Sequence, residues 1–149
     1  MRAVSEVLGP DDALLLGLDL VKDPARIEAA YTDSVGLSER FQRNGFRHLD
    51  RELGSDFAQA RFEHRVVWDS EQELVDIGFR SVGAQVVHVP ELGIEVEFAD
   101  GEPLRTGVSS KFRRERFEPE LWAAGLKLAR WWTDARNDFA LALAVRDLS

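Results

Sequence analysis

Few side chains in this sequence have the type and spacing that metal or nucleophilic chemistry requires. The three histidines, His48, His64 and His88, are scattered without ligand-like spacing, so ordinary surface or hydrogen-bonded histidines are expected. With no cysteine there is neither a disulfide nor a thiolate. The sequence contains serine, histidine and aspartate, so a Ser–His–Asp triad is possible in principle, but the Gly-x-Ser-x-Gly motif that presents such a serine does not occur. The sequence also lacks a Gly-x-Gly-x-x-Gly fingerprint and a P-loop, so it predicts no metal ligand and no catalytic residue.

One stretch could nevertheless position a ligand. An almost continuous apolar run covers residues 13–20, and it ends in Lys22-Asp23-Pro24, where a proline can open a helix. The length of the run suits a strand buried on both faces, as in parallel sheets. Strand, polar edge and helix form the layout in which α/β proteins place ligands, beyond the carboxyl ends of the strands.

The rest of the chain alternates between helical and strand patterns. Apolar spacing and stop signals predict helices over residues 2–8, 24–31, 37–53 and 114–124. The third helix ends at Gly54 and the fourth at Gly125, and Pro119 would kink the fourth unless it lies in the first turn. Alternating apolar and polar residues predict an antiparallel meander with one wet face, built from strands at 65–68, 73–79, 85–89 and 94–98. The last two apolar segments, 126–133 and 139–145, have so short a connection that they must pair antiparallel.

Composition narrows the class of protein. A hydrophobic content of 44% with 31% charged residues describes a globular protein, and no apolar run reaches the roughly 18 residues of a membrane span. The first residues lack the apolar core of a secretory signal, so we predict a cytoplasmic location and no membrane partner. A formal charge of −8 disfavours nucleic acid. The one basic cluster is interpreted as a solvated helix start with acids nearby; it consists of Lys111, Arg113, Arg114 and Arg116.

The changes of pattern also predict how the chain is divided. Residues 24–109 are interpreted as a module inserted between two parts of one mixed α/β sheet. From the residues alone, the expectation is a cytosolic α/β module that carries an inserted meander.

A series of short motifs extends this interpretation. In order along the chain they are Gly17-Leu18-Asp19-Leu20-Val21-Lys22-Asp23-Pro24, Glu28-Ala29-Ala30-Tyr31, Arg51-Glu52-Leu53-Gly54-Ser55-Asp56-Phe57, Phe62-Glu63-His64, Leu104-Arg105-Thr106, Ser109-Ser110-Lys111-Phe112, Ala124-Gly125-Leu126, Trp132-Thr133-Asp134 and Asp138-Phe139-Ala140-Leu141. Their order and spacing resemble the histidine-specific, S-adenosylmethionine-dependent methyltransferases, which include the histidine Nα-methyltransferase of ergothioneine biosynthesis. The resemblance covers essentially the whole chain and corresponds to the C-terminal half of that family.

The resemblance implies a fold and assigns different roles to two parts of the chain. Residues 1–23 and 110–149 would form the C-terminal part of a class I methyltransferase (Rossmann-like) sheet, and 24–109 would be an inserted α+β substrate-binding module. Within the sheet, 13–20 would be the fifth strand, and the last two strands the closing antiparallel pair. The family binds S-adenosylmethionine over strands and a glycine-rich loop that these residues do not encode. The strand at 13–20 would then expose an unpaired apolar edge, which implies either a homodimer or a separate N-terminal half as partner.

The resemblance also carries over to single residues, all of them substrate-binding. Tyr31 matches a tyrosine that reaches the substrate amino acid, Ser38 takes the place of a nearby hydroxyl residue, and Ser109 matches a serine that hydrogen-bonds the substrate ring. Two positions depart from the family pattern: Gly107 replaces a glutamate that holds the imidazole, and Ile77 replaces a methionine. The lost carboxylate removes a charge-assisted hydrogen bond of about 1.5–3 kcal/mol and leaves room, which favours an amino acid larger or less polar than histidine.

Two functions from different classes therefore stand side by side. The first is the C-terminal, substrate-binding half of an S-adenosylmethionine-dependent amino-acid Nα-methyltransferase, active only with the missing half. The second is a non-catalytic binding or assembly module, a degenerate relative that self-associates through its open sheet edge.

Overall fold

A computed structural model describes residues 1–32 and 36–147. In chain order its elements are α1 Arg2–Val7, β1 Ala13–Asp19, α2 Pro24–Tyr31, α3 Leu37–Leu53, β2 Phe62–Asp69, β3 Leu74–Ser81, β4 Gln85–Val89, a 3₁₀ turn Pro90–Leu92, β5 Ile94–Phe98, β6 Pro103–Ser110, α4 Arg114–Ala123, β7 Leu126–Thr133 and β8 Phe139–Arg146. The contacts divide the chain into two compact units. We call Met1–Asp23 with Ser110–Ser149 the flanking unit, and Pro24–Ser109 the central unit.

The flanking unit is built on a three-stranded sheet in the order β1-β8-β7. Both pairings are antiparallel, and the predicted pairing of the last two segments is confirmed. The prediction that the first strand is buried on both faces is wrong. Only Leu18 of β1 is buried, and the side chain of Leu15 is 58% exposed. The physical reason is that β1 lies at the edge of the sheet and has one covered face.

Side chains on one face of this sheet form the core of the flanking unit. Because side chains alternate along a strand, Leu18 and three alanines of β8 share a face, where Phe117 and Leu121 of α4 pack on them. Helix α4 ends before Gly125, as predicted, and the φ of this glycine is +75°. Pro119 lies inside the helix rather than in its first turn, so one intrahelical hydrogen bond is lost.

The opposite face of the same sheet is apolar and exposed. Leu15 pairs with Leu143 and Gly17 with Leu141, and the exposed large side chains near this register are Leu15, Trp132, Phe139 and Leu141. Their exposure shows that this face is largely uncovered in the part of the chain that the structure describes. The flanking unit thus has one buried and one open sheet face.

The central unit contains two separate sheets, one with the order β2-β3-β6 and one formed by β4 and β5. The four predicted strands all form, but the predicted meander is not confirmed. Strand β3 has β6 rather than β4 as its second neighbour, so the chain makes two hairpins instead of one continuous series. Gly78 permits the close approach of β6, since a Cβ there would lie 2.2 Å from the Leu104 carbonyl oxygen.

Aromatic rings fill the core of the central unit. Phe46 of α3 stacks on Phe57 and lies 4.7 Å, between ring centroids, from Phe79 of β3. Phe62 and Phe98 complete the cluster with Val87. Helix α3 covers the predicted residues and ends at Gly54, whose φ is +64°. The aromatic cluster therefore fixes α3 against the sheet that carries β3 and β6.

The observed class is α/β, with antiparallel sheets and helices. No helix in the described part of the chain is both long and apolar enough to cross a membrane. A Rossmann-like arrangement stays a prediction.

Candidate functional site

A cavity of about 880 Å³ lies in the central unit, between α3 and the edge strand β6. Its lining combines apolar, neutral polar and basic side chains: Tyr31, Ser38, Phe41, Gln42, Asn44, Gly45, Phe46, Arg47, His48, Leu49, Arg51, Ile77, Thr106, Gly107 and Val108. Four of the five residues singled out from the sequence are among them. Ser109, the fifth, contacts one of the four directly.

A hydroxyl pair joins two distant parts of the chain at this cavity. The Tyr31 hydroxyl donates a hydrogen bond to Ser109 Oγ at 2.6 Å. Tyr31 is the last residue of α2, which is anchored by the fully buried Ile27 and by Glu28, whose carboxylate accepts from the Trp68 backbone N–H at 3.4 Å. The structure therefore brings together two residues that lie 78 positions apart in the sequence.

A second polar network connects the cavity wall to β2. The Thr106 hydroxyl donates to Gln42 Oε1, and Gln42 Nε2 lies 3.2 Å from His64 Nε2. Gln42 therefore contacts a hydroxyl through its amide oxygen and an imidazole nitrogen through its amide nitrogen. The network thus links β6, α3 and β2 through Thr106, Gln42 and His64.

Arg43 holds α3 in place next to this network. Its guanidinium donates to the Phe62 carbonyl at 2.6 Å and to Glu39 at 2.7 Å, and it lies 5.1 Å from the centroid of the Phe79 ring. Backbone, carboxylate and aromatic contacts together restrict this side chain. Helix α3, which supplies ten of the lining residues, is consequently fixed on both its apolar and polar sides.

An ion-pair cluster reinforces the strands on which Ile77 and Thr106 lie. Asp76 accepts hydrogen bonds from Arg105 of β6 at 2.9 and 3.1 Å and from Arg65 of β2 at 2.9 Å. The Arg105 hydrogen bond, together with the contact to Arg65, holds the pKa of Asp76 below its usual value, while desolvation acts in the opposite direction. The cluster joins all three strands of the sheet.

Gly107 leaves space in the wall of the cavity. A Cβ built at this position would meet no atom within 4 Å, and its backbone is not left-handed, so a side chain would fit there. Ile77 of β3 and Val108 of β6 provide apolar surface nearby. Gly107 and Ser109 share one face of β6, because residues two apart in a strand point the same way.

Several lining residues were not singled out from the sequence. Thr106, Val108 and Phe41 belong to this group, and Phe41 is 81% exposed. In the sequence, Phe41 is one of the apolar residues whose spacing predicts the helix at 37–53, and this spacing does not indicate a binding role. Only the placement of β6 beside α3 shows that these side chains line one cavity.

The carboxyl end of β1, the sequence-predicted ligand position, carries a different cluster. Asp19 is paired with Lys22 at 2.6 Å and with Lys111 at 2.9 Å, and the Lys111 side chain is 1% exposed. Desolvation raises the pKa of Asp19, but the hydrogen bonds and charges of the two lysines outweigh it and lower the pKa. The negative charge of the Asp19 carboxylate is therefore balanced by two lysines of the same chain.

The described residues lack the groups that would hold a cofactor or a metal ion by themselves. Binding of S-adenosylmethionine as the resemblance implies needs a glycine-rich loop after a strand, and none lies after a strand within residues 1–32 and 36–147. Asp19, the acid at a strand end, is already paired with two cations. These residues therefore do not fit the cofactor by themselves. Among the described residues no cluster of three metal-ligating side chains is present.

Comparison with known proteins places the chain among methyltransferases. Residues 1–146 match the family described as "Histidine-specific methyltransferase, SAM-dependent". The chain is 45% identical over 146 residues to a histidine N-alpha-methyltransferase of Mycolicibacterium smegmatis and 44% identical to one of Mycobacterium tuberculosis. It is 29% identical to ergothioneine biosynthesis protein 1 of Neurospora crassa. Each match covers 98% of this chain, but 46% of the two bacterial proteins and 16% of the fungal one.

Proposed function

Because the chain belongs to the histidine-specific, S-adenosylmethionine-dependent methyltransferase family, we propose that its central unit binds the amino-acid substrate of an Nα-methyltransferase. The observation that carries this proposal is the cavity between α3 and β6. Tyr31, Ser38, Ile77 and Gly107 line it, and Ser109 holds the Tyr31 hydroxyl. The chain spans less than half the length of the bacterial relatives, so the activity of the whole enzyme is part of the proposal.

The reaction requires little chemistry from the side chains described. In the family, S-adenosylmethionine supplies an activated methyl group, and the protein contributes mainly orientation. The Tyr31–Ser109 pair and the Thr106–Gln42 pair offer fixed hydroxyl and amide groups that can hold a zwitterionic amino acid in one pose. Arg43 and the aromatic cluster keep these groups in position by immobilising α3. The role that we assign to the central unit is therefore binding and orientation.

We further propose that the flanking unit is the C-terminal part of a Rossmann-like sheet, with β1 as its fifth strand and β7 and β8 as the closing pair. Support comes from the antiparallel pairing of β8 with both neighbours and from the bridge at the other side of β1. There Leu20 pairs with Phe112 in parallel orientation. This single bridge lies just beyond the end of β1, and we propose that a further parallel strand pairs along the edge from Ala13 to Leu18.

The open edge and face of the flanking unit require a partner in this proposal. We propose that the partner is a polypeptide equivalent to the part of the bacterial relatives that this chain does not match. That polypeptide would also supply the glycine-rich loop for the cofactor. An apolar edge without charge or proline from Ala13 to Leu18 favours pairing with another strand. We also propose a cytoplasmic location. The chain has no cysteine, so its fold does not depend on disulfides, which form in oxidising compartments.

The first experiment tests amino-acid binding by the chain as it is. We expect amino acids to shift backbone NMR resonances of β6 and α3, and Tyr31→Phe or Ser109→Ala to weaken binding about two- to tenfold, the value of one hydrogen bond. Ser70→Ala is the matched control, because Ser70 is an exposed serine of the central unit that does not line the cavity. Loss of binding in the control but not in Ser109→Ala would contradict the assigned site.

A second candidate function rests on the exposed apolar face of the flanking sheet. A self-associating assembly module would bury Leu15, Phe139 and Leu141 between two copies. Light scattering across a concentration series separates the two functions. A stable dimer that binds no amino acid would favour the assembly module, whereas a monomer that binds one would favour the methyltransferase half.

A further inference from the structure

The charge of the cavity differs from that of the chain. The formal net charge is −8, yet the lining residues that the structure describes include no aspartate or glutamate. They do include Arg47, His48 and Arg51 from one side of α3. Arg51 is engaged by His48 at 2.7 Å and by Glu52, while Arg47 makes no hydrogen bond or ion pair to any described residue. Such a lining suits the carboxylate of a ligand and disfavours a second positive charge on it.

The polar groups near β6 are neutral and already paired with each other. The Tyr31 hydroxyl donates to Ser109, and the Thr106 hydroxyl donates to Gln42. Both ring nitrogens of an imidazole need hydrogen-bond partners when the ring leaves water, whereas the indole of tryptophan has one N–H and the ring of phenylalanine has no polar atom. Because no described carboxylate lines the cavity, histidine would find only neutral hydroxyl and amide partners there for its two ring nitrogens.

The remaining wall of the cavity is apolar and has room. Ile77, Val108 and Phe41 line it, and at Gly107 there is space that no side chain fills. A cavity of about 880 Å³ lies within the usual range of about 300–1,000 Å³ for small-molecule sites. Aromatic rings gain from contact with other aromatic rings beyond their area burial, and Tyr31 and Phe41 provide such rings in the lining.

We infer that the amino acid bound in this cavity has an uncharged aromatic side chain rather than the imidazole of histidine, and that Gly107 determines this specificity. The inference rests on the proposed function, since it names the substrate class of the same site. The aromatic ring occupies the space at Gly107 beside Ile77 and Val108. Arg47 provides a charge for the ligand carboxylate.

Calorimetric titration of the full chain with L-tryptophan, L-phenylalanine and L-histidine at pH 8 tests the inference. We expect the wild-type chain to bind tryptophan or phenylalanine at least about tenfold more tightly than histidine. Gly107→Glu should reverse this order, because it fills the space and adds a carboxylate that can accept an N–H. Gly107→Gln is the matched control: it fills the same space without the charge, and should lose the aromatic ligands without the same gain for histidine.

The possible results separate this inference from the proposed function. Equal or tighter binding of histidine by the wild-type chain would overturn the inference and leave the proposed function standing. Binding of none of the three amino acids, with no shift of β6 resonances, would overturn both. A Gly107→Glu variant that keeps the wild-type preference, while a two-dimensional NMR spectrum shows it folded, would remove Gly107 from the specificity.

Discussion

The two units of this chain differ in how completely they bury their apolar side chains. The central unit closes a core around five phenylalanine rings, and its most exposed large apolar side chain, Phe41, lines the cavity. The flanking unit buries one face of a three-stranded sheet under α4 and leaves the other face open. A closed core with an apolar cavity is typical of a small-molecule site. An open sheet face is typical of a surface that other polypeptide covers.

The difference indicates which part of the chain is self-sufficient. The central unit carries its own core and its own cavity, and the amino-acid binding that we propose uses residues of this unit. The flanking unit has an uncovered sheet face and a free apolar strand edge among its described residues. We therefore expect binding experiments to succeed on the chain as it stands, and methyl transfer to require further polypeptide.

The largest expected effect comes from removing a ring from the closed core. Phe79→Ala should lower the free energy of unfolding by about 3–5 kcal/mol, because Phe79 is fully buried and its loss leaves a cavity. Phe41→Ala, at an exposed position, should change it by less than about 0.5 kcal/mol. Urea denaturation measures both, and hydrogen exchange of β8 shows whether the flanking unit unfolds with the central one. Equal losses in the two variants would mean that the core assignment is wrong.

A smaller loss is expected where two strands approach closely. Gly78→Ala should destabilise the central unit by about 1–3 kcal/mol, since its Cβ would collide with the Leu104 carbonyl and push β6 away from β3. Gly107→Ala serves as the control in the same sheet, because its Cβ meets open space. Thermal unfolding of both variants checks the prediction. A neutral Gly78→Ala would show that β6 is free to shift.

The ion-pair cluster should make part of the stability depend on pH. The pKa of Asp76 is lower in the folded chain than its ordinary value of 3.8, so its contribution is present above that value and lost as the pH falls through the folded pKa. Asp76→Asn should therefore be less stable than wild type at neutral pH, with a difference that shrinks below pH 3.8. Urea midpoints across the pH range measure this difference. Glu91→Gln, at an exposed position in the 3₁₀ turn, is the control for the loss of one carboxylate without its ion pairs.

The smallest effect is expected on the open face of the flanking sheet. Leu15→Ser should change stability by less than about 0.5 kcal/mol, because the side chain is already largely in water. Leu18→Ala on the same strand should cost about 2–5 kcal/mol, since Leu18 packs in the core. If Leu15→Ser lowered the stability as much as Leu18→Ala, the sheet face that carries Leu15 would be covered in the isolated chain. The flanking unit would then not differ from the central unit in leaving an apolar face open.

The sequence by itself determined the local features. Glycines end α3 and α4 because positive φ angles of +64° and +75° follow at Gly54 and Gly125. The connection between β7 and β8 is too short for anything except antiparallel pairing. The order of short motifs along the chain was enough to indicate the family, and family membership is confirmed by the match over residues 1–146.

Only the tertiary structure decided which strands pair and which side chains meet. By the alternation alone, β3 could have paired with β4. In the structure it pairs with β6, and Gly78 permits the close approach of the two strands. The burial of β1 depends on whether elements cover its second face, which local hydrophobicity does not report. Gln42, His64 and Thr106 come from three elements, and they join in one network because the aromatic core sets α3 against the sheet.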